Sequence, residues 1–403
     1  MDGDTISTAP ERPLNVLFSV RPFRGHLHPL IPLARAFRLG GHRVAVATAE
    51  DMATVVTGAG LTWLPAGHNP RDLWQAFPGE DSDYGYLPVK AKVTDLLELA
   101  IEQFPPDVVI REPTDLAPAI AAEVAGAVNV IYGLAHFIPA QSWRILHADE
   151  TIAELRREYG LPEDPDLESL YRDLYITVLP RLFEKTRPLP VPAIQRLQYA
   201  PWDGGDRAAA QLPAGLVGSD RERPTVLVTL GTVYNTHSSL FSRFLEALAD
   251  EPVQVICTLG DGADEAVSHG APANVRFERY LPHSSILPHC RAMLCHAGFN
   301  TMLGCLSAGV PLVCVPLGSD QEYNARRIGV GGLGLWLRDN EASPEAIREA
   351  MRRVLHEPSF AEKAKAFAAD MESRPGFPAT IRRIKTLAEA RPAHHGRTTA
   401  AKA

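Results

Sequence analysis

Two polar clusters in the 403-residue chain combine residue types that could do chemistry together. The first is His296-Ala297-Gly298-Phe299-Asn300-Thr301, which follows the apolar run 292–295. A short apolar run bounded by turn residues reads as a buried strand. Gly298 lets the backbone approach a ligand closely, and Asn300 or Thr301 can cap a helix starting there. A helix N-terminus offers unpaired N–H groups and the positive end of its dipole. His296 would add a ring donor and Thr301 a hydroxyl, a set that suits a diphosphate. Gly309 and Pro311 end that helix. A second apolar run, 312–315, stops at Pro316, and the loop beyond it carries Asp320-Gln321. A carboxylate beside a carboxamide can bond several hydroxyls as acceptor and mixed donor/acceptor, which suits a sugar. Both clusters then lie just past the carboxyl ends of neighbouring parallel strands, the edge where open α/β sheets bind ligands. Singly, each also reads as an ordinary turn or a solvated loop; two in one strand–helix–strand unit favour the ligand reading.

The first half of the chain has its own candidates. His26, in Gly25-His26-Leu27-His28-Pro29-Leu30, follows the apolar run 14–20. Imidazole titrates near neutrality, so at a sheet edge it could remove a proton from a hydroxyl, or it could merely cap the helix that starts at Pro29. His28 is the rival histidine. A His-x-His metal pair lacks a carboxylate or cysteine at ligand spacing. Glu112 ends the run 107–111, with Asp115 a turn further on. Either could orient a neutral imidazole, or Glu112 could pair with Arg111 or Arg144 at the surface. Gly231-Thr232 follows the first apolar run of the second half and reads as a glycine turn.

Alternating apolar runs and helical patterns must position these residues. Residues 14–20, 44–48, 107–110 and 128–132 read as strands, with helices over 30–39, 93–104 and 116–125. The polar, aromatic stretch 67–88 is long enough to be functional or mobile, and 134–182 reads as helical. Six prolines punctuate residues 187–224, as in a crossover between domains. Strands over 225–229, 253–258 and 275–278 and a helix over 239–249 open the second half. At this length two domains are expected.

The bulk composition narrows the class. Hydrophobic and charged fractions of 45% and 22% are ordinary for a globular protein, and a net charge of −8 argues against nucleic acid. The five cysteines lack CxxC spacing and read as buried thiols in a reducing, cytoplasmic compartment. No apolar run approaches the ~20 residues that span a bilayer. Gly329-Val330-Gly331-Gly332-Leu333-Gly334 spells G-x-G-x-x-G but follows a helix, the reverse of a dinucleotide site. Asp81-Ser82-Asp83 and Asp164-Pro165-Asp166 sit in polar segments and not at strand ends.

The run from His296 to Thr301, then Gly309-Val310-Pro311, then Pro316 and Asp320-Gln321 resembles the nucleotide-sugar box of family 1 glycosyltransferases. Its spacing fits without a gap from His296 to Gln321. Tyr280-Leu281-Pro282-His283 resembles the opening of the box, which holds the base. The chain is most similar to actinobacterial enzymes that decorate macrolides, enediynes and other polyketides. The resemblance implies an α/β protein of the GT-B type, two Rossmann-like domains with parallel sheets facing a central cleft. Polar composition makes 1–12 a disordered leader and the proline-rich stretch a linker at 201–223, and the resemblance makes 13–200 an acceptor-binding domain and 224–372 a nucleotide-sugar-binding domain. A C-terminal helix at 373–390 would return to the first domain, and 391–403 would be a tail. It implies an inverting transferase that moves a (deoxy)sugar from a nucleoside diphosphate to a hydroxyl of an apolar aglycone, as a monomer or homodimer, with no metal and no cofactor beyond the sugar donor. His26 falls on the family's base and Glu112 on its acidic partner. Thr232, Tyr280, Leu281, His296, Gly298, Phe299, Asn300 and Thr301 fall on its nucleotide site, and Asp320 and Gln321 on its sugar site. Plant members carry a Glu on the ribose where this chain has Gly304, so the donor implied is dTDP-sugar ahead of UDP-sugar. A non-catalytic partner protein, or an epimerase or hydrolase on the same fold, is the alternative.

Overall fold

The structure, a computed structural model, describes residues 12–77, 84–134, 136–184, 189–204, 223–231, 237–260, 272–318 and 320–391, with 212, 213, 216 and 270 between them. Apolar runs become two parallel sheets. The first contains β1 (Asn15–Ser19), β2 (Arg43–Thr48), β3 (Thr62–Pro65), β4 (Val108–Arg111), β5 (Val128–Gly133), β6 (Leu174–Thr177) and β7 (Ile194–Arg196), in the order β3-β2-β1-β4-β5-β6-β7. The second contains β8 (Thr225–Thr229), β9 (Gln254–Thr258), β10 (Val275–Glu278), β11 (Cys290–Cys295), β12 (Leu312–Cys314) and β13 (Gly334–Trp336), in the order β10-β9-β8-β11-β12-β13. The central strands are wholly buried, as the continuous Val/Ile/Leu runs of a parallel sheet covered on both faces require. In each sheet the strand order reverses between two adjacent strands, β1/β4 and β8/β11. The crevice outside their carboxyl ends is the natural ligand position.

Two departures from the sequence reading matter. Residues 134–182 are not helical throughout: β6 lies inside them, and β7 lies inside the proline-rich stretch. Both strands are short, and a buried run of three or four residues carries no period that separates strand from helix. The segment after β1 also has local structure. It folds into a one-turn helix, Arg24–Leu27, which contains His26, before the longer helix Ile31–Leu39.

The helix Phe377–Glu389 packs on the first sheet's side of the molecule. Arg383 donates to the Ile194 carbonyl at 3.1 Å, and Arg391 pairs with Asp173 at 2.6 Å. Between the halves, Tyr323 donates to the Phe183 carbonyl at 2.9 Å and Arg327 to that of Leu182 at 2.6 Å. One apolar core cluster runs continuously through both halves, from Phe18 and Phe37 to Met302 and Ile384. Among the described residues no helix is long and apolar enough to cross a membrane.

Candidate active site

The turn after β1 and the loop after β4 bring His26 and Glu112 together. His26 Nδ1 lies 3.1 Å from Glu112 Oε1. The Glu112 side chain is wholly buried, whereas that of His26 is 30% exposed. Thr114 locks the carboxylate: its N–H donates to Oε2 at 2.6 Å, and its hydroxyl lies 2.8 Å from both oxygens. Burial by itself would raise the Glu112 pKa. The neighbouring His26, as charge and as hydrogen-bond donor, together with the Thr114 amide and Arg21, outweighs it and holds the carboxyl at about 2. An ionised carboxylate only accepts, so Nδ1 keeps its proton in the charged and the neutral ring, and in the neutral ring the lone pair is on Nε2. Thr114 was not singled out from the sequence, although a Thr two residues after an acid is a familiar local bonding pattern.

Asp115 is taken elsewhere. Its Oδ2 receives Lys92 Nζ at 2.6 Å and the Ser19 hydroxyl at 2.8 Å, all buried. Arg111 does not pair with Glu112 at the surface; it is buried and donates to the carbonyls of Glu112, Pro113 and Asp115 at 3.2–3.3 Å, bracing the loop from beneath. Arg144 pairs with Asp166. Asp164 is a local cap that accepts from the N–H groups of Glu168 and Ser169; Asp81-Ser82-Asp83 lies outside the described residues. Beside the dyad a cavity of about 60 Å³ opens, lined by Phe23, Tyr84, Val89 and Thr114. Arg21 stacks over both rings of that wall and donates to the Tyr84 hydroxyl at 3.1 Å.

The second half of the site lies beyond β8 and β11. His296 is 5% exposed, and its ring is wedged between two glycines. A Cβ built at Gly231, where φ is +70°, would fall 2.7 Å from His296 Cε1, and one at Gly298 would fall closer still to Nε2. Both positions therefore exclude side chains. Burial pushes the imidazole down to about 4, against a hydrogen bond to the Thr229 backbone that pulls the other way. The helix Phe299–Ser307 starts with Gly298 as its N-cap and no side-chain cap, so neither Asn300 nor Thr301 caps it. Its first N–H groups, those of Phe299, Asn300 and Thr301, are left for an anion. Thr301 is buried, and the Asn300 carboxamide donates to the Gly25 carbonyl at 2.9 Å, joining the two halves. Thr232 lies outside the described residues.

The two clusters are tied by a residue the sequence reading passed over. Asn324, buried one helical turn beyond Asp320, donates to Asp320 Oδ2 at 2.9 Å and to the Ala297 carbonyl at 3.1 Å. Ala297 holds a left-handed backbone, φ 64°, uncommon without glycine, and the Asn324 bond braces it. The i, i+4 spacing of Asp320 and Asn324 was the available signal. Gln321 Oε1 already accepts the Leu317 N–H at 2.8 Å and the Gly318 N–H at 3.2 Å. The pair thus presents a carboxylate acceptor and an amide donor, narrower than the mixed capacity read from sequence. The Tyr280 hydroxyl donates to the Asp203 carbonyl, while Leu281 is buried.

Comparison with known proteins identifies the family. The profile of the erythromycin biosynthesis protein CIII-like C-terminal domain matches residues 242–387. The 4'-demethylrebeccamycin synthase of Lentzea aerocolonigenes is 30% identical over 397 residues, covering 86% of this chain and 92% of that one. The aklavinone 7-beta-L-rhodosaminyltransferase of Streptomyces galilaeus is 28% identical, covering 90% and 93%. The crystal structure of glycosyltransferase VinC in complex with dTDP superposes with a TM-score of 0.77 at 25% identity, over 93% of this chain and 99% of VinC. With two parallel sheets meeting at their switch points and a relative of this identity along nearly its whole length, the chain belongs to the family of GT-B antibiotic glycosyltransferases.

Proposed function

We propose that the chain moves a sugar, a deoxysugar by preference, from dTDP to a hydroxyl of an apolar natural-product aglycone with inversion of the anomeric centre. The observation that carries this reading is the His26–Glu112 pair at 3.1 Å, facing a helix N-terminus whose Asn300 touches the residue before His26. Glu112 accepts the Nδ1 proton and keeps the Nε2 lone pair for the acceptor O–H. As Nε2 takes that proton, the acceptor oxygen bonds to the anomeric carbon and the bond to the diphosphate oxygen breaks. One displacement inverts the centre, and the transition state is oxocarbenium-like. The growing negative charge falls on the N–H groups of Phe299, Asn300 and Thr301 and on His296, with Gly298 allowing the close approach. Thr232 would add a hydroxyl to the diphosphate, Tyr280 and Leu281 would hold the base, and Asp320 with the Gln321 amide would hold the sugar hydroxyls. The reading calls for no divalent cation, so EDTA should leave the rate unchanged. At about 60 Å³ the cavity beside the dyad is well below the ~300 Å³ of sites that enclose a small molecule, so an aglycone would extend from it into the cleft.

Incubation with dTDP- or UDP-sugar, with and without a panel of polyketide aglycones, tests the reading. Nucleotide release that requires an aglycone and yields its glycoside supports it. Release without acceptor would indicate a hydrolase or epimerase, and no release a non-catalytic partner.

Donor choice has its own expected outcome. A Cβ built at Gly304 meets only the Tyr199 hydroxyl at 3.9 Å and Leu287 Cδ1 at 4.0 Å, ordinary contacts that leave room to begin a side chain. Wild type should bind dTDP at least as well as UDP, and Gly304→Glu should shift preference toward UDP by bonding the ribose 2′-OH. Calorimetry with both diphosphates checks this; a strong native preference for UDP would remove the argument.

A further inference from the structure

Asn300 supplies a backbone N–H to the anion site, but its side chain works in the other half of the molecule. Nδ2 donates to the Gly25 carbonyl at 2.9 Å, across 275 residues of sequence. The opposite amide orientation would set oxygen against oxygen, so the donor assignment follows from the contact itself. The Asn300 Oδ1 is buried without a partner among the described residues, which leaves the Gly25 bond as the one that orients this carboxamide.

The local sequence leaves the exposed Gly25 carbonyl open to such a donor. In a continuing helix its carbonyl would accept the N–H four residues on, but that residue is Pro29, which has none. The N–H of His28 goes to Arg24, and those of His26 and Leu27 go to Phe23. The turn's own backbone bonds therefore pass Gly25 by. A single helical turn does not hold itself together in water. Glu112 orients the imidazole through Nδ1, yet the backbone that carries His26 is braced from across the cleft.

We propose that Asn300 is a positioning residue: by donating to the Gly25 carbonyl it holds the one-turn helix that presents His26, and so couples the donor half to alignment of the base. This rests on the reading of His26 as the base, and it separates the side chain of Asn300 from nucleotide binding. Loss of the bond leaves the diphosphate site intact and lets the imidazole drift from the acceptor oxygen, where a displacement of about 1 Å is enough to slow turnover strongly.

The test uses the full chain, Asn300→Ala and Asn300→Asp, with one aliphatic and one phenolic aglycone that the release assay identifies as acceptors. For Asn300→Ala, kcat on the aliphatic acceptor should fall roughly tenfold or more, kcat on the phenol should fall much less, and dTDP affinity by calorimetry should be unchanged. Asn300→Asp, which sets a carboxylate against a carbonyl, should be at least as slow. Pro29→Ala returns an N–H four residues after Gly25, so the Asn300→Ala penalty should shrink in that background. A loss of dTDP affinity matching the loss of kcat, equal losses on both acceptors, or the same penalty with and without Pro29 would overturn the proposal. If His26→Ala itself fails to distinguish the two acceptors, the base reading falls; if His26→Ala distinguishes them and Asn300→Ala does not, the clasp alone falls.

Discussion

His26→Ala should lower turnover on an aliphatic acceptor by roughly 10²–10⁴-fold, the usual contribution of a positioned general base, with dTDP affinity unchanged. An aliphatic hydroxyl holds its proton at neutral pH, so attack on the anomeric carbon needs a group that removes it as the bond forms. His26 meets the geometric requirement, because Glu112 holds Nδ1 and the tautomer leaves Nε2 basic. Glu112→Gln should cost less, since the amide keeps much of the shape and its oxygen can still accept from Nδ1, although it no longer enforces that orientation. An acidic phenol needs the base less, so the His26→Ala penalty should shrink as acceptor pKa falls. Rates across aliphatic and phenolic acceptors measure this. Full activity of His26→Ala on an aliphatic alcohol, with His28→Ala dead, would mean that the base is the other histidine. The structure opposes that exchange: His28 is only half-buried, yet desolvation, with Arg24 adding to it, lowers its pKa to about 4.

His296→Ala should weaken dTDP binding by about 1.5–3 kcal/mol, roughly 10–150-fold, the range for a hydrogen bond to a charged group. Aglycone binding should be nearly intact, because His296 stands on the other side of the cleft. Burial keeps the free imidazole neutral, and a neutral ring has a single N–H, which bonds the Thr229 backbone. To donate to a phosphate as well, the second nitrogen must take up a proton, which a bound diphosphate favours by its charge. Binding should therefore take up a proton near pH 7 and weaken as pH rises. Calorimetry in buffers of different ionisation enthalpy would detect it, and the uptake should vanish in His296→Ala. Equal loss of dTDP and aglycone binding would show instead that the ring only fills space between Gly231 and Gly298. The same shift has a stability consequence. The folded value, about 4, lies below the ordinary 6.5, so the unfolded chain binds the proton first as pH falls. The free enzyme should lose stability from about pH 6.5 down to about 4, and His296→Ala should remove part of that loss.

Much of the architecture was legible in the order of residues. Buried parallel strands are apolar on both faces, so Val226 to Val228 or Leu312 to Cys314 declare themselves as unbroken runs. Glycine and proline at helix ends act locally, so the helix after Gly298 and its end at Gly309 could be read without the fold. The edge at which His26, Glu112, His296 and Asp320 sit follows from where each run ends. The short strands β6 and β7 could not be read, because three or four residues have no period and their pairing partners lie far away in sequence.

What only the tertiary structure decided were the pairings. His26 lies 86 positions from Glu112 and Asn300 lies 275 from Gly25. A side chain's choice among acceptors depends on which carbonyl or carboxylate comes within about 3 Å, a distance that sequence does not contain. By residue type alone Asp115 could have served in place of Glu112, until Lys92 arrived from the helix Tyr86–Glu98 to pair with it. Gln321 looked free to bond a sugar on both atoms until its own loop folded back onto the oxygen. Residue type set what each group could do. Packing set which groups met, and which were already bonded before a substrate could reach them.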